Sequence, residues 1–418
     1  MADYNPFNPN SVVMPTLFAG RAGQVNEICG KLANLKRGIP TSFFMYGERG
    51  IGKTALASLI MHVAKLKNPD LCNLNLVASY YAVEKNQDIA SVLRESLNSL
   101  TDKLDKNLLD KIGSRLGSLF KNGKFQIGSF ALELEAKERE KEIILKDQVI
   151  SILTNIINGF CAQPEEGNTQ GTLIPCEGGN RQGILIVIDE MHNLKDIDIT
   201  ASLLRNIMTT LSVETLGQVS FLLIGYKEDM VKFFSSDPSS RRAFDLIELT
   251  VMPQPEAEDV LKKGFVAANV KWDSSELSKN IGSAGGYPHS IQILGRHLLE
   301  VDKDNLIDKN DWNAALFNSA LELKTKDFSQ MYSFNVAGTQ TVKDQILVLL
   351  ANKNKPMSKK EIADELKKNI YQHIPELIKK GSVRELLDKK VELHSQLLRT
   401  SILIDQIIQN RNKEQKIT

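Results

Sequence analysis

Gly47-Glu-Arg-Gly-Ile-Gly-Lys-Thr54 leaves this chain few choices of fold. The run before it, Phe43-Phe44-Met45-Tyr46, has strand propensity, and after Thr54 the apolar positions Leu56, Leu59, Ile60 and Val63 return at helical spacing. A strand, a G-x-x-x-x-G-K-T turn and a helix make a phosphate-binding loop. Its glycines let the backbone turn tightly and aim N–H groups inward around the β- and γ-phosphates of a nucleotide. Lys53 brings a compact positive charge to those oxygens, and Thr54 offers a hydroxyl to Mg2+. The helix that follows directs its N-terminal dipole at the same phosphates. The candidate nucleotide-binding residues are therefore Gly47, Glu48, Arg49, Gly50, Ile51, Gly52, Lys53, Thr54 and Ala55.

A second apolar run, Ile184-Leu-Ile-Val-Ile188, has five aliphatics without alternation and ends in Asp189-Glu190. Such a run is buried on both faces, as in the central strand of a parallel sheet covered by helices. Ligands of open α/β sheets bind outside the carboxyl ends of the strands, where this acidic pair falls. In a phosphate-loop enzyme Asp189 would hold the Mg2+ shell and Glu190 would polarise an attacking water. A helix cap after a core strand is the other reading, because Asp caps well.

Around these two runs, strands and helices alternate. Strands are expected at 41–46, 76–82, 184–189, 219–224 and 244–249, with the phosphate loop and the acidic pair at the C-terminal ends of adjacent strands. Residues 125–135 alternate as a hairpin would, and Ile143, Ile144, Val149, Ile152, Leu153 and Ile156 mark a helix. Residues 162–183 collect enough glycine and proline to read as a loop.

At 418 residues two or three domains are expected. The chain is 42% hydrophobic and 25% charged with a net charge of +1, which points to an ordinary folded protein with no overall polyanion preference. Cys29, Cys72, Cys161 and Cys176 form no C-x-x-C pair, which argues against a zinc ribbon or a disulfide framework and fits a reduced, cytoplasmic setting. No membrane-spanning run and no export signal are read. None of the histidines other than His289 has a metal-ligand partner at useful spacing, and those five are taken as structural. Pro6, Pro9 and Pro15 make residues 1–16 an extended arm over the body.

Towards the C-terminus, Ile346, Leu347, Leu349 and Leu350 form one helix, Ser358 caps a second, and Ile374, Leu377 and Ile378 mark a third before the strand-like Val391-Glu-Leu. That order is a winged helix. Residues 341–418 carry 16 Lys+Arg against 10 Asp+Glu, so the net is +6 there and −5 over the remainder. Lysine pairs at 359/360, 367/368, 379/380 and 389/390 suit phosphate contacts with double-stranded DNA, and equally an ordinary solvated coupling module.

These motifs resemble those of AAA+ and STAND P-loop ATPases, above all the initiator-like ATPases and their prokaryotic mobile-element and defence relatives. Leu17-Phe-Ala-Gly-Arg21 is similar to the signature that packs near the adenine there; Ala22 and Gln24 replace its usual acidic residues, and Arg21 also reads as a surface residue. Where that family places a polar residue after the fourth strand, this chain has Gly225-Tyr226. Arg241 and Arg242, before the last strand, resemble the arginine finger that reaches a neighbouring subunit's γ-phosphate, or are two surface arginines. Gly285-Gly-Tyr-Pro-His289 resembles the lid turn, with Pro288 and His289 as candidate nucleotide contacts; a surface histidine is the alternative reading of His289.

The resemblance implies an α/β P-loop core at 17–252 with an insertion at about 101–183 and a five-stranded parallel sheet in the order 5-1-4-3-2. A helical lid at 253–335 and the winged helix at 336–418 would follow. It implies an ATP- and Mg2+-dependent switch in which the nucleotide binds between core and lid and a homo-oligomer forms. The winged helix would engage DNA or a partner, and the assembly would need no membrane. A signalling ATPase recruiting a separately encoded effector protein, and a nucleotide-locked adaptor with little turnover, are the alternatives.

Overall fold

The computed structural model describes residues 4–11, 18–66, 74–104, 106–127, 138–160, 182–214, 217–328, 341–386 and 388–414. They divide into two compact units, one of residues 21–250 and the other of residues 251–418 with residues up to 13 and 17–20.

The first unit is built on five strands, β1 (Ser42–Gly47), β2 (Val77–Ala82), β3 (Ile184–Asp189), β4 (Val219–Gly225) and β5 (Phe244–Leu249). Every pairing is parallel and the order across the sheet is β5-β1-β4-β3-β2. All residues of β3 and β4 are buried, which explains why the 184–188 run shows no alternation. Phe44, Ile186 and Phe221 point into one layer, while Phe43, Met45, Leu185 and Leu222 are equally covered on the opposite face.

Seven helices connect and flank these strands: α1 (Ala22–Leu32), α2 (Lys53–Ala64), α3 (Ile89–Thr101), α4 (Lys106–Leu116), α5 (Glu138–Phe160), α6 (Ile197–Glu214) and α7 (Lys227–Ser236). Within α5, the stretch Glu140–Phe160 is long and apolar enough to cross a membrane, with a mean hydropathy of 1.2, which corrects the expectation that no run reaches that length. Half of that window is buried here, and Val149, Ile152, Leu153 and Ile156 are fully covered in the sheet's core, which accounts for its apolarity.

The register sets Tyr46 beside Gly225, Ile188 beside Leu223 and Ala82 beside Asp189, so the loops after β1, β2, β3 and β4 share one edge. Here an expectation needs correction. The phosphate loop and the acidic pair do not end adjacent strands, because β4 stands between β1 and β3. The hairpin also lies earlier than expected, with Phe120–Lys121 paired to Lys124–Phe125. Its turn is Asn122-Gly123, both at positive φ, which closes a two-residue hairpin in a way that alternation alone could not signal. The expected continuation of that hairpin through 128–135, and nearly all of the glycine-rich loop, lie outside the described residues.

The second unit is mainly helical. Its helices are α8 (Gln254–Ala267), α9 (Ser274–Asn280), α10 (Pro288–Val301), α11 (Lys309–Leu323), α12 (Val342–Lys353), α13 (Lys359–Leu366), α14 (His373–Lys379) and α15 (Gln396–Glu414). Between α14 and α15, Val383–Glu385 and Val391–Leu393 form an antiparallel ribbon, and Met357 bridges to Val391. Trp312, Leu294, Leu298, Ile346 and Leu397 belong to one hydrophobic cluster, so the segments before and after residue 340 share a core. The N-terminal arm is anchored on this unit. Phe7 fills the space over Gly264 and Gly295 where a side chain would overlap its ring, and the Asn5 amide donates to the Arg296 carbonyl. Gly285 and Gly286 take φ values of 63° and 75°, and the Gly286 carbonyl accepts from the Met252 N–H at 2.8 Å. A Cβ on Gly285 would lie 2.7 Å from Ser395, and the Tyr287 ring sits 4.1 Å from that of His394.

Candidate phosphate-binding site

The site grows from the end of β1. A Cβ on Gly47 would lie 2.6 Å from the Leu249 carbonyl oxygen, so only glycine lets the loop leave the sheet beside β5. Gly50 and Gly52 take φ values of 75° and 91°, a region that side chains disfavour. Gly52 is also the N-cap of α2 and supplies no side-chain cap, which leaves the first turn of that twelve-residue helix facing the loop's interior. Arg21, read as an adenine contact or a surface residue, is neither exposed nor free. It is 3% exposed, and its guanidinium donates to the carbonyls of Ile51 at 3.3 Å and Thr250 at 2.5 Å, tying the loop to the end of β5.

Lys53, the first residue of α2, folds its ammonium back onto the carbonyls of Gly47 and Glu48, each at 2.9 Å. Burial pushes that ammonium below its ordinary value, against the pull of Asp189, Glu190, Asp229 and Glu48. An ammonium whose hydrogen bonds go to two neutral carbonyls is suited to exchange those contacts for an anion.

Thr54 and Asp189 meet despite the intervening strand. The Thr54 hydroxyl donates to Asp189 Oδ2 at 2.7 Å, and Asp189 Oδ1 accepts the Glu190 N–H at 2.7 Å. Asp189 is 1% exposed and does not act as an ordinary surface cap. A buried carboxylate and a hydroxyl converging at a helix N-terminus form a hard-oxygen set that fits Mg2+ completed by water and phosphate oxygens. Among the described residues no group of three or more His, Cys, Asp or Glu could hold a metal by protein ligands alone.

Four further side chains belong here, those of Tyr80, His192, Tyr226 and Asp229. Tyr80, on β2 two residues before Ala82, the partner of Asp189, donates its hydroxyl to the same Asp189 Oδ2 at 3.0 Å. Burial, then the Asp189 charge, pushes this phenol well above its ordinary value, so it stays a neutral donor. Sequence reading missed it. The available signal was register, since a residue two before the partner of Asp189 projects to the same face. His192, taken as structural, places Nδ1 3.2 Å from Glu190 Oε2, and its ring packs 4.7 Å from Tyr226. Tyr226 in turn carries the Lys53 ammonium over its ring face at 4.6 Å. Burial, then Glu190, pushes the Tyr226 phenol upward. Gly225 is the narrow point between β1 and β3, where a Cβ would lie 3.0 to 3.2 Å from Asp229 and Met191. Asp229 uses that space to accept the Tyr226 N–H at 2.7 Å. Burial raises its carboxyl and this hydrogen bond opposes the rise.

Of the remaining candidates, the two arginines lie away from the loop within the first unit. Arg241 and Arg242 are exposed on the short helix Pro238–Arg242, at the N-terminal end of β5, and Arg241 stacks over Phe234. Since Gly47 pairs with Leu249 at the other end of that strand, these arginines are about 20 Å of strand from their own phosphate loop. Pro288 and His289 open α10 in the second unit, with Pro288 at its first position. Ala55 continues the first turn of α2.

Residues 17–222 match the AAA ATPase domain. No curated protein matches the chain by sequence. Among solved structures, the chain is similar to the ORC2 protein of Aeropyrum pernix in its ADPNP-ADP complexes, at 14% identity and a TM-score of 0.50 over 97% of this chain and 98% of that one. A Walker-type ATPase of Pyrococcus abyssi gives 13% and 0.47 over 92% and 96%. A STAND protein of Pyrococcus horikoshii with a tetratricopeptide repeat sensor gives 15% and 0.36, and the chain spans 42% of its length. At these identities the likeness concerns the fold alone. Strand, loop, helix and acidic strand end thus agree with the match of residues 17–222 to the AAA ATPase domain.

Proposed function

We propose that the chain binds Mg·ATP at Gly47–Ala55 and hydrolyses it as a conformational switch. The observation that carries this reading is the meeting of Thr54 and Asp189 beside the Lys53 ammonium, at the free N-terminus of α2. Lys53 and the loop amides would hold the phosphates. Thr54 and Asp189 would hold Mg2+, which when bound would offset phosphate charge. Glu190, whose backbone sits at φ 60° with its N–H held by Asp189, would accept the proton of the attacking water. Arg241 or Arg242 would act on a second copy's site, because neither can reach its own, so a homo-oligomer is part of the reading. Phosphate release measured against protein concentration tests it. The rate per subunit is expected to rise with concentration and to collapse in Glu190→Gln; a flat rate would remove the shared site.

In the second unit, α12, α13, α14 and the 383–393 ribbon support a winged helix. Part of its positive charge is already consumed, since Lys343, Lys353, Lys359, Arg384 and Lys390 pair with Glu376, Glu365, Glu385, Glu392 and Asp388. Lys360, Lys367, Lys368, Lys379, Lys380 and Lys389 are exposed and could meet DNA phosphates. A slow-turnover adaptor is the second reading, favoured by Gly225, which puts no polar side chain at the tip of β4. A separately encoded effector protein would be the partner if the chain signals.

A further inference from the structure

Glu190 is the half-exposed end of a chain of contacts that the hydrolytic reading leaves unused. Its Oε2 lies 3.2 Å from His192 Nδ1, the imidazole packs at 4.7 Å from the Tyr226 ring, and the same ring carries the Lys53 ammonium at 4.6 Å. The backbone fixes both ends. Glu190 is a non-glycine residue at φ 60°, its N–H is held by Asp189, and the short helix Met191–Asn193 begins at once, so His192 has little freedom to leave. Tyr226 is fixed by the Asp229 carboxylate on its N–H, an arrangement open only because Gly225 has no side chain.

We propose that His192 is a positioning residue for Glu190, held in place by the face of Tyr226, and that this pair does the orienting at the tip of β4 where Gly225 offers no polar group. The inference rests on the hydrolytic reading above and extends it. The left-handed backbone at Glu190 and the short helix behind it set the carboxylate of residue i against the imidazole of i+2. An unrestrained Glu190 would sample rotamers that point away from the loop, and misplacing a catalytic group by about 1 Å costs on the order of a hundred-fold in rate. Tyr226 contributes its ring, which meets both the tilted imidazole and the Lys53 ammonium.

The test compares kcat for phosphate release with the affinity for a fluorescent ATP analogue in the full chain. His192→Ala and Tyr226→Ala are expected to lower kcat on the order of ten-fold or more while affinity changes by less than about three-fold. Tyr226→Phe, which keeps the ring, and His192→Gln, which keeps a donor able to reach Glu190, should recover most of the rate. Adding His192→Ala to Glu190→Gln should cost nothing further, because the group being positioned is gone. A wild-type or raised kcat in His192→Ala, a loss confined to affinity, or equal losses in Tyr226→Phe and Tyr226→Ala would overturn the proposal. Undiminished hydrolysis in Glu190→Gln is a separate pattern: it would sink the hydrolytic reading itself and this inference with it.

Discussion

The Thr54 hydroxyl reaches Asp189 Oδ2 at 2.7 Å although β1, which leads into its helix, and β3, which ends in Asp189, are not neighbours. The reach comes from α2, which starts at Lys53 and brings the Thr54 hydroxyl to the end of β3. The same Oδ2 accepts from Tyr80 on the far side, so two hydroxyls fix one carboxylate oxygen. Tyr80→Phe removes one of them and leaves the ring. One hydrogen bond to a charged group is worth roughly 1.5 to 3 kcal/mol, so half-saturating Mg2+ should rise on the order of ten-fold or more in an ATPase titration. Thr54→Ala, which deletes a candidate Mg2+ ligand, should raise it further.

The arginines allow a test in trans. Alone, a double Arg241→Ala, Arg242→Ala variant and a Glu190→Gln variant should each lose most activity, on the order of a thousand-fold for a missing finger. Mixed, they should regain a measurable fraction, since the Glu190→Gln subunit can lend its arginines to the variant's intact Glu190. No recovery on mixing, or full activity of the double arginine variant, would assign Arg241 and Arg242 to the surface.

Legibility in the sequence followed how local each signal is. The phosphate loop is written in eight consecutive residues and its flanks, and β3 in an unbroken aliphatic run, so both could be read directly. What the sequence hid were contacts made across the sheet. Tyr80 joins the site through register with β3, Arg21 through the ends of two segments more than two hundred residues apart, and His192 through a tight turn with a positive φ at Glu190. The turn Asn122-Gly123 is a local signal, but the alternation of residues 125–135 outweighed it. The α15 helix carries Leu397, Leu398 and Ile402 on one buried face, a periodicity present in the sequence and overlooked behind the ribbon.

Gly47 supplies a stability prediction. Gly47→Ala sets a methyl group 2.6 Å from a backbone oxygen of β5, which cannot swing aside as a side chain would. A cost of about 1 to 3 kcal/mol is expected, seen as a melting temperature lower by several degrees, together with weaker nucleotide binding.

In the second unit, burial, aided by the Arg384 charge, pushes His394 down to about 4 from an ordinary 6.5. The unfolded chain therefore takes up a proton near pH 6.5 that the folded chain refuses until about pH 4. This contribution to stability is complete above pH 6.5 and is lost as pH falls through that window, in total about 3 kcal/mol. Chemical unfolding followed between pH 7 and 4 should fall less steeply in His394→Leu than in the wild type; parallel curves would place the imidazole in contact with solvent.

The most direct measurement is calorimetric titration of Mg·ATP into the wild-type chain and into Lys53→Ala. A saturable isotherm with about one site per chain is expected for the wild type, weakened at least a hundred-fold in the variant, with the two proteins melting within a few degrees of each other because the Lys53 hydrogen bonds go to carbonyls of the loop itself. Equal binding by both proteins, or no binding by the wild type, would contradict the assignment of Gly47–Thr54 and Asp189 as a nucleotide site.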